Sequence, residues 1–175
     1  MKQLLCITLV SFILSINSVN ADTSGIQLSI INPVQLVHET DTIAGLRLNL
    51  IYSSNESVRG LDLGLVNNTI GDHYGGQLGL VNLVGGNFKG IQEGFFNKVD
   101  GEFYGIEYGA INIVKNNFNG LQIGYLYNSV GHKMDGVQIG LVNTCGILYG
   151  LQIGLLNFNE SYSPMGFLPI INFSF

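Results

Sequence analysis

Residues 136–143 read GVQIGLVN and residues 150–157 read GLQIGLLN, and this near-identity decides the fold. Residues 120–124 carry the first half of the same unit, GLQIG, and five earlier copies also open at a glycine. The eight copies begin at Gly45, Gly60, Gly75, Gly90, Gly105, Gly120, Gly136 and Gly150. The steps between them are 15, 15, 15, 15, 15, 16 and 14 residues, so one insertion is cancelled by one deletion. A fixed period of this kind is the signature of a repeat architecture.

Counted from the opening glycine as position 1, the units share the pattern Gly, apolar, polar, apolar, Gly, apolar, apolar, Asn, followed by a variable, turn-like segment. Asn49 replaces the second glycine of the first unit, and Tyr52 and Tyr127 replace the asparagine of two units. The alternation of apolar and polar residues has a period of two, which is typical of β-strands. Two glycines four residues apart in seven of the eight units exclude a helix, because each glycine costs about 1 kcal/mol in a helix interior. The sequence therefore predicts an all-β protein.

Two all-β architectures fit a strand-and-turn period of 15 residues. An antiparallel meander, closed into an outer-membrane β-barrel, is supported by hairpin signals such as Asp100-Gly101 and by the alternating, aromatic C-terminus at Phe175. A parallel β-solenoid is supported by the equal spacing of the units, which stacks like residues on like without stagger. A closed barrel needs a definite stagger between its strands. We therefore favour the parallel β-solenoid with terminal caps, and the barrel remains the alternative.

In the solenoid, each unit position forms a ladder of side chains about 4.8 Å apart. We expect the second and fourth positions to fill the interior: Leu46, Leu61, Ile91, Ile106, Leu121, Val137 and Leu151, with Leu48, Leu63, Leu78, Tyr108, Ile123, Ile139 and Ile153. The polar third position then predicts an exposed interaction face: Arg47, Asp62, Gln77, Gln92, Glu107, Gln122, Gln138 and Gln152. Arg47 and Asp62 would be neighbours of opposite charge. Glu93 breaks the apolar fourth position, and we interpret this as a coil that bulges or a side chain that reaches solvent. A functional carboxylate is the alternative.

The chain divides into four segments. Residues 1–21 read as a secretory signal peptide, with Lys2, an apolar run and small residues before the cleavage point. Residues 22–44 form an N-terminal lead-in or cap, residues 45–157 the repeat domain, and residues 158–175 a C-terminal cap or terminal strand. These segments predict an exported protein of the periplasm, outer membrane or cell surface of a Gram-negative bacterium.

The charge of the chain argues against one class of partner, and its cysteine content predicts one buried residue. After loss of residues 1–21, six basic and twelve acidic residues remain, a net charge of −6. This balance argues against binding to nucleic acid, whose phosphates require a basic surface. Cys145 is then the remaining cysteine, which we expect to be a small buried residue.

Few residues point to chemistry. His38, His73 and His132 are scattered, and we expect them to be loop residues rather than metal ligands. Asp62 and Glu107 would lie three coils apart, roughly 14 Å, which exceeds the separation of a glycosidase pair. The sequence therefore predicts no catalytic, cofactor-binding or metal-binding residues. The aromatic residues Tyr74 and Tyr104 are further contact candidates, although we favour the alternative that they cover the corners of the coils.

The unit at residues 150–157, with the segments at 45–50 and 167–172, resembles the repeats of bacterial exported surface-repeat proteins. The resemblance covers roughly residues 40–175 and implies a location at or near the cell surface, with no catalytic residues to carry over. We expect a non-enzymatic envelope protein with a structural or interaction role, whose partner is another protein or an envelope component. The alternatives are a small outer-membrane barrel and, more remotely, a solenoid enzyme acting on polysaccharide, for which Glu93 and Asp62 would be the residues to test.

Overall fold

A computed structural model describes residues 23–160 and 166–175. The predicted signal peptide lies outside these residues, as does part of the predicted C-terminal cap. Within the described ranges the regular structure consists of strands β1 (Thr23–Ile31), β2 (Val34–Gln35), β3 (Thr42–Asn55), β4 (Ser57–Leu63), β5 (Val66–Thr69), β6 (His73–Val84), β7 (Phe88–Val99), β8 (Phe103–Val114), β9 (Phe118–Asn159) and β10 (Phe167–Ser174). The prediction of an all-β fold is confirmed.

The repeat units stack in parallel and in register. Gly75 pairs with Gly90, Gly90 with Gly105 and Gly105 with Gly120, so each coil lies directly on the one before it. Strand β9 continues through the last three units. The predicted β-solenoid is thus confirmed, and the antiparallel meander, open or closed, is wrong for the repeats.

The 16-residue unit accommodates its extra residue beside the second glycine. Gly109 pairs with Gly124, but Ile111 pairs with Tyr127, so the chain bulges between these two pairs. The bulge returns Asn128 to register with Asn112. The asparagine position is therefore preserved although the sequence spacing changes.

At both ends of the solenoid a strand outside the predicted repeats pairs with the terminal repeat strand. Strand β1 pairs in parallel with β3, with Gln27 opposite Arg47. Residues 25–28 read GIQL, a partial unit that is hard to recognise in the sequence because it lies 20 residues before Gly45. At the other end β10 pairs antiparallel with β9 and places Asn172 opposite Gln152.

The apolar core comes from the variable segments. The second residue before each opening glycine points inward, and Phe88, Phe103 and Phe118 stack there with ring centroids 4.8–4.9 Å apart. Met134 and Leu148 continue this row, and a second row contains Val84, Val99, Val114, Val130 and Cys145. The prediction that Cys145 is a small buried residue is confirmed.

The predicted interior at the second and fourth positions is wrong. Leu61 and Ile91 are 53% and 54% exposed, and the other members of that set are exposed or half-buried. Alternation defines two faces of a strand but not which face points inward. Here the inward face carries the polar third position. Glu93 is exposed, as interpreted from the sequence.

Both glycines of the unit are required by geometry. The opening glycines adopt φ between 132° and 153°, a region that other residues rarely enter. The second glycine lies against the buried asparagines, and a Cβ on Gly94 would come within 2.5 Å of the Asn82 amide nitrogen. The glycine pattern therefore follows from a kink in each coil and from close packing around a buried amide.

Candidate interaction surface and buried polar ladder

The eight residues predicted to form an exposed interaction face lie inside the solenoid. All of them, from Arg47 to Gln152, are 0% exposed. A partner outside the chain cannot reach side chains in the interior, so the prediction of an exposed interaction face at the third position is wrong. We call these eight residues the polar ladder.

The polar ladder is a directed chain of side-chain hydrogen bonds. Gln152 donates to Gln138, Gln138 to Gln122, and Gln122 to Glu107, each through Nε2 at 2.7–2.8 Å. Gln92 likewise donates to Gln77 at 2.7 Å. Each amide therefore donates toward the N-terminal end, and its oxygen is placed to accept from the coil that follows.

A buried ion pair completes the N-terminal end of this chain. Gln77 donates to Asp62 Oδ2, and Asp62 accepts from Arg47 Nε at 2.8 Å and from Arg47 Nη2 at 2.6 Å. Arg47 also donates to the Asn68 carbonyl and to Thr69 Oγ1. The predicted pairing of Arg47 with Asp62 is confirmed, and the buried charges are matched by hydrogen bonds, as such groups require.

The directed chain is interrupted at Glu107. Glu107 lies opposite Gln92, yet Oε1 of Glu107 and Oε1 of Gln92 find no hydrogen-bond partner among the described residues. Burial raises the pKa of Glu107 to about 8, although the hydrogen bond from Gln122 acts in the opposite direction. A protonated Glu107 would supply the donor that this step of the ladder lacks.

The asparagines at position 8 form a second buried ladder. Asn82 donates to Asn97 Oδ1 at 2.8 Å and to the backbone carbonyl of Glu93 at 2.7 Å. Asn97 and Asn112 make the same two kinds of bond to the following coil. One side chain thus ties each coil to the next and satisfies a buried backbone carbonyl.

The residues considered as catalytic or metal-binding candidates are dispersed. Within residues 23–160 and 166–175, no three His, Cys, Asp or Glu side chains cluster as metal ligands would. Asp62 and Glu107 are enclosed in the polar ladder with Gln77 and Gln92 between them. Burial raises the pKa of the Cys145 thiol to about 12, which suppresses the thiolate at neutral pH.

His73 is not the loop residue that the sequence suggested. It begins β6, is fully buried, and stacks on Phe88 at 4.9 Å as the first ring of the aromatic row. Burial lowers the pKa of His73 to about 4, and nearby Asp62 opposes that shift. The imidazole is therefore neutral and acts as a core ring.

The exposed surface of each coil carries the residues that were expected inside. Positions 2, 4 and 6 point outward, because the side chain at position 3 and the glycine at position 5 face inward. We call these positions, with Ile26, Leu28 and Ile30 of β1 and Ile171 and Phe173 of β10, the outer face. Its members at position 6 are Leu50, Leu65, Leu80, Phe95, Ala110, Tyr125, Leu141 and Leu155.

The outer face is apolar across its length. Phe95 and Leu80 are 61% and 58% exposed, and Leu155 at the far end is 60% exposed. Tyr108 and Tyr125 meet edge to face at 5.2 Å, and a shallow groove that includes Phe95 and Ala110 runs beside them. Glu93 is the one charged residue at the second, fourth and sixth positions.

Charged residues concentrate elsewhere on the coil. Of the 14 charged residues in 45–157, three belong to the polar ladder, one is Glu93, and ten lie in the variable half of the unit. Tyr74 and Tyr104 lie at that charged rim, where their hydroxyls donate to Asp72 and Glu102. The solenoid is therefore amphipathic in cross-section. It has an apolar outer face and a polar, turn-bearing side.

Comparison with known proteins gives no relative: no protein family, no curated protein and no solved structure matches this chain. The described residues contain no helix suited to crossing a membrane.

Proposed function

We propose that this chain is an exported, non-enzymatic protein of the bacterial cell envelope that binds another protein or an envelope component through the outer face. The observation that carries the proposal is the large apolar surface maintained along the stacked coils. Soluble proteins rarely expose contiguous apolar patches above a few hundred Å², and larger ones mark interaction sites. The residues that hold the coils together are inside, so the outer face is free for a partner.

The sequence supports the location in this proposal. Residues 1–21 have the features of a secretory signal, which would deliver the chain to the periplasm, the outer membrane or the cell surface. The acidic balance of the chain does not favour nucleic acid as a partner. The resemblance to surface-repeat proteins supports the same compartment.

The proposal is tested by expressing the full chain with its own N-terminus in a Gram-negative host, treating whole cells with a chemical crosslinker and fractionating them. The face variant is Leu80→Thr/Phe95→Thr/Leu141→Thr, which removes three exposed side chains and keeps a residue suited to strands. The matched control is Ile70→Thr/Ile147→Thr, which removes exposed side chains from the variable half of the coils.

We expect the wild type and the control to be exported and to crosslink to a partner, and the face variant to be exported without that crosslink. Retention of the wild type in the cytoplasm would overturn the location. Identical crosslinking of the wild type and the face variant would overturn the role of the outer face.

A further inference from the structure

We infer that the partner of the outer face is a second copy of this chain, packed face to face with its solenoid axis antiparallel. This inference rests on the proposed function, because it names the occupant of the same surface. Three properties of the surface support it: its area, its shape, and the placement of its one charge.

The outer face has the area that a dimer interface needs. Ten strand rows cross it, from β1 through the eight units to β10. At about 4.8 Å between rows and about 3.3 Å per residue, it measures roughly 43 Å by 13 Å, or about 560 Å². Two copies would bury about 1,100 Å², which exceeds the approximately 1,000 Å² expected of a specific interface.

The regular stacking of the face suits a copy of itself. Two sheets pack face to face about 10 Å apart when their side chains interdigitate. Because both copies have the same spacing between rows, contacts made at one row recur along the length. A two-fold axis makes such a contact self-complementary and closed.

The position of Glu93 selects the orientation. With parallel solenoid axes, each row faces the same row of the other copy, and the two Glu93 carboxylates oppose each other. With antiparallel axes, the order of the rows is reversed, and the centre of the ten rows lies between the units that open at Gly90 and Gly105. Glu93 of each copy then lies opposite Tyr108 of the other, whose hydroxyl donates a hydrogen bond to the carboxylate.

The sixth positions of the same two rows also match in the antiparallel orientation. Phe95 is the large, 61% exposed side chain of one row, and Ala110 is the small, 4% exposed side chain of the next. Antiparallel packing places Phe95 of one copy over Ala110 of the other, beside the rings of Tyr108 and Tyr125. A large residue meets a small one at both symmetry-related sites, which is how facing layers fill space.

The experiment is sedimentation velocity of the purified chain over a concentration series, with two charge variants. Tyr108→Glu would place a second carboxylate opposite Glu93 at both sites and weaken the dimer at least about tenfold. Glu93→Lys/Tyr108→Glu would place opposite charges together and restore the dimer. In the parallel orientation, the double variant would instead oppose lysine with lysine and glutamate with glutamate. Positions 93 and 108 also pair on neighbouring strands of one chain, so the introduced charges meet within each copy as well. The urea midpoint of each variant, measured beside its sedimentation, separates a change in the fold from a change in association.

The expected result is a wild-type dimer that Tyr108→Glu weakens and the double variant restores. A dimer that resists Tyr108→Glu, or that the double variant weakens further, overturns the arrangement. A wild type that stays monomeric overturns self-association. If that monomer still loses its envelope crosslink in the face variant, the proposed function stands with another protein as the partner. If the monomeric wild type instead floats with phosphatidylcholine vesicles, self-association is overturned in the same way, and the outer face binds lipid.

Discussion

Replacing Glu107 by glutamine tests whether a protonated carboxyl group completes the polar ladder. In the folded chain the pKa of Glu107 is about 8, against an ordinary value of 4.5, because the carboxyl is fully buried. Gln92 Oε1 faces it without a donor among the described residues. A glutamine at 107 would supply an N–H donor in the same direction as the other glutamines. The variant therefore keeps the hydrogen bond and removes the titration.

The sign of the pH effect follows from proton binding. Between pH 4.5 and 8 the folded chain holds a proton on Glu107 that the unfolded chain has lost. Unfolding of this group then releases a proton, so the contribution of Glu107 to the free energy of unfolding decreases as the pH rises, by about 1.4 kcal/mol per unit. From about pH 5 to about pH 7 this amounts to about 2–3 kcal/mol, once partial ionisation of the unfolded chain at the lower pH is included. Glu107→Gln should lack this loss.

The assay is urea unfolding of the wild type and Glu107→Gln at several values between about pH 5 and about pH 8, which span the ordinary and the raised pKa. The two proteins should have similar midpoints at the acidic end, and the variant should be the more stable at neutral pH and above. Glu56→Gln is the matched control, because it makes the same chemical change at an exposed side chain in the variable half of a coil, outside both the polar ladder and the outer face. An unchanged pH slope in Glu107→Gln, or a less stable variant at neutral pH, would refute the reasoning.

Three further substitutions test the interior. His73→Phe should remove a loss of stability on acidification. The pKa of His73 in the folded chain, about 4, lies below the ordinary 6.5, so the stability that this group contributes above pH 6.5 is lost toward pH 4 at about 1.4 kcal/mol per unit. Melting temperatures of the wild type and the variant at about pH 5 and about pH 7 would reveal this difference. Arg47→Gln should cost about 3–5 kcal/mol in urea unfolding because it leaves Asp62 buried without its partner, and adding Asp62→Gln should recover most of that cost by extending the amide chain. Gly94→Ala should cost about 1–3 kcal/mol because its Cβ meets the Asn82 amide and the Gly79 carbonyl, whereas Gly76→Ala on the outer face meets a flexible leucine and should leave the melting temperature nearly unchanged.

The period of the repeat predicted the architecture because it is a covalent property of the chain. Units of equal length place like residues opposite each other, so the pairing of Gly75 with Gly90 and of Arg47 with Asp62 followed from counting residues. The sequence also showed that the extra residue of the 16-residue unit is offset by the 14-residue unit that follows. The bulge that contains this extra residue lies beside Gly124 rather than in a turn.

The direction of the side chains was mispredicted because alternation is symmetric. Apolar residues at positions 2 and 4 suggested a core, yet the variable segment already supplied one through residues such as Phe103 and Val99. A better signal was present in the composition of each position. The fourth position places Glu93 among apolar residues that could not hydrogen-bond to it in an interior, whereas the third position holds glutamine in five of its eight members, as a hydrogen-bonded ladder requires.

The protonation of Glu107 could not be predicted from sequence, because it depends on burial and on what the facing atom lacks. In sequence Glu107 is one polar residue among eight at the third position, and Arg47 and Asp62 are charged as well. Counting residues already placed Arg47 beside Asp62, and the structure shows that ion pair. Only the folded arrangement shows that Glu107 is buried and faces an oxygen without a donor among the described residues. The charge state of a buried carboxyl group is thus set by the groups that face it and not by its residue type alone.

The outward orientation of the apolar side chains, opposite to the one predicted from sequence, bears directly on function. Apolar residues at positions 2, 4 and 6 contribute little to the interior, so folding of the coil does not require leucine, isoleucine or phenylalanine there. An exposed strand position is ordinarily polar, because a long apolar strand surface invites aggregation. Yet the units repeat this apolar pattern, while substitutions such as Glu93 and Ala110 fall beside Tyr108 and Phe95 at the centre of the face. A surface that is apolar without need and carries its one charged residue at its centre is better explained by a defined partner than by packing within the chain.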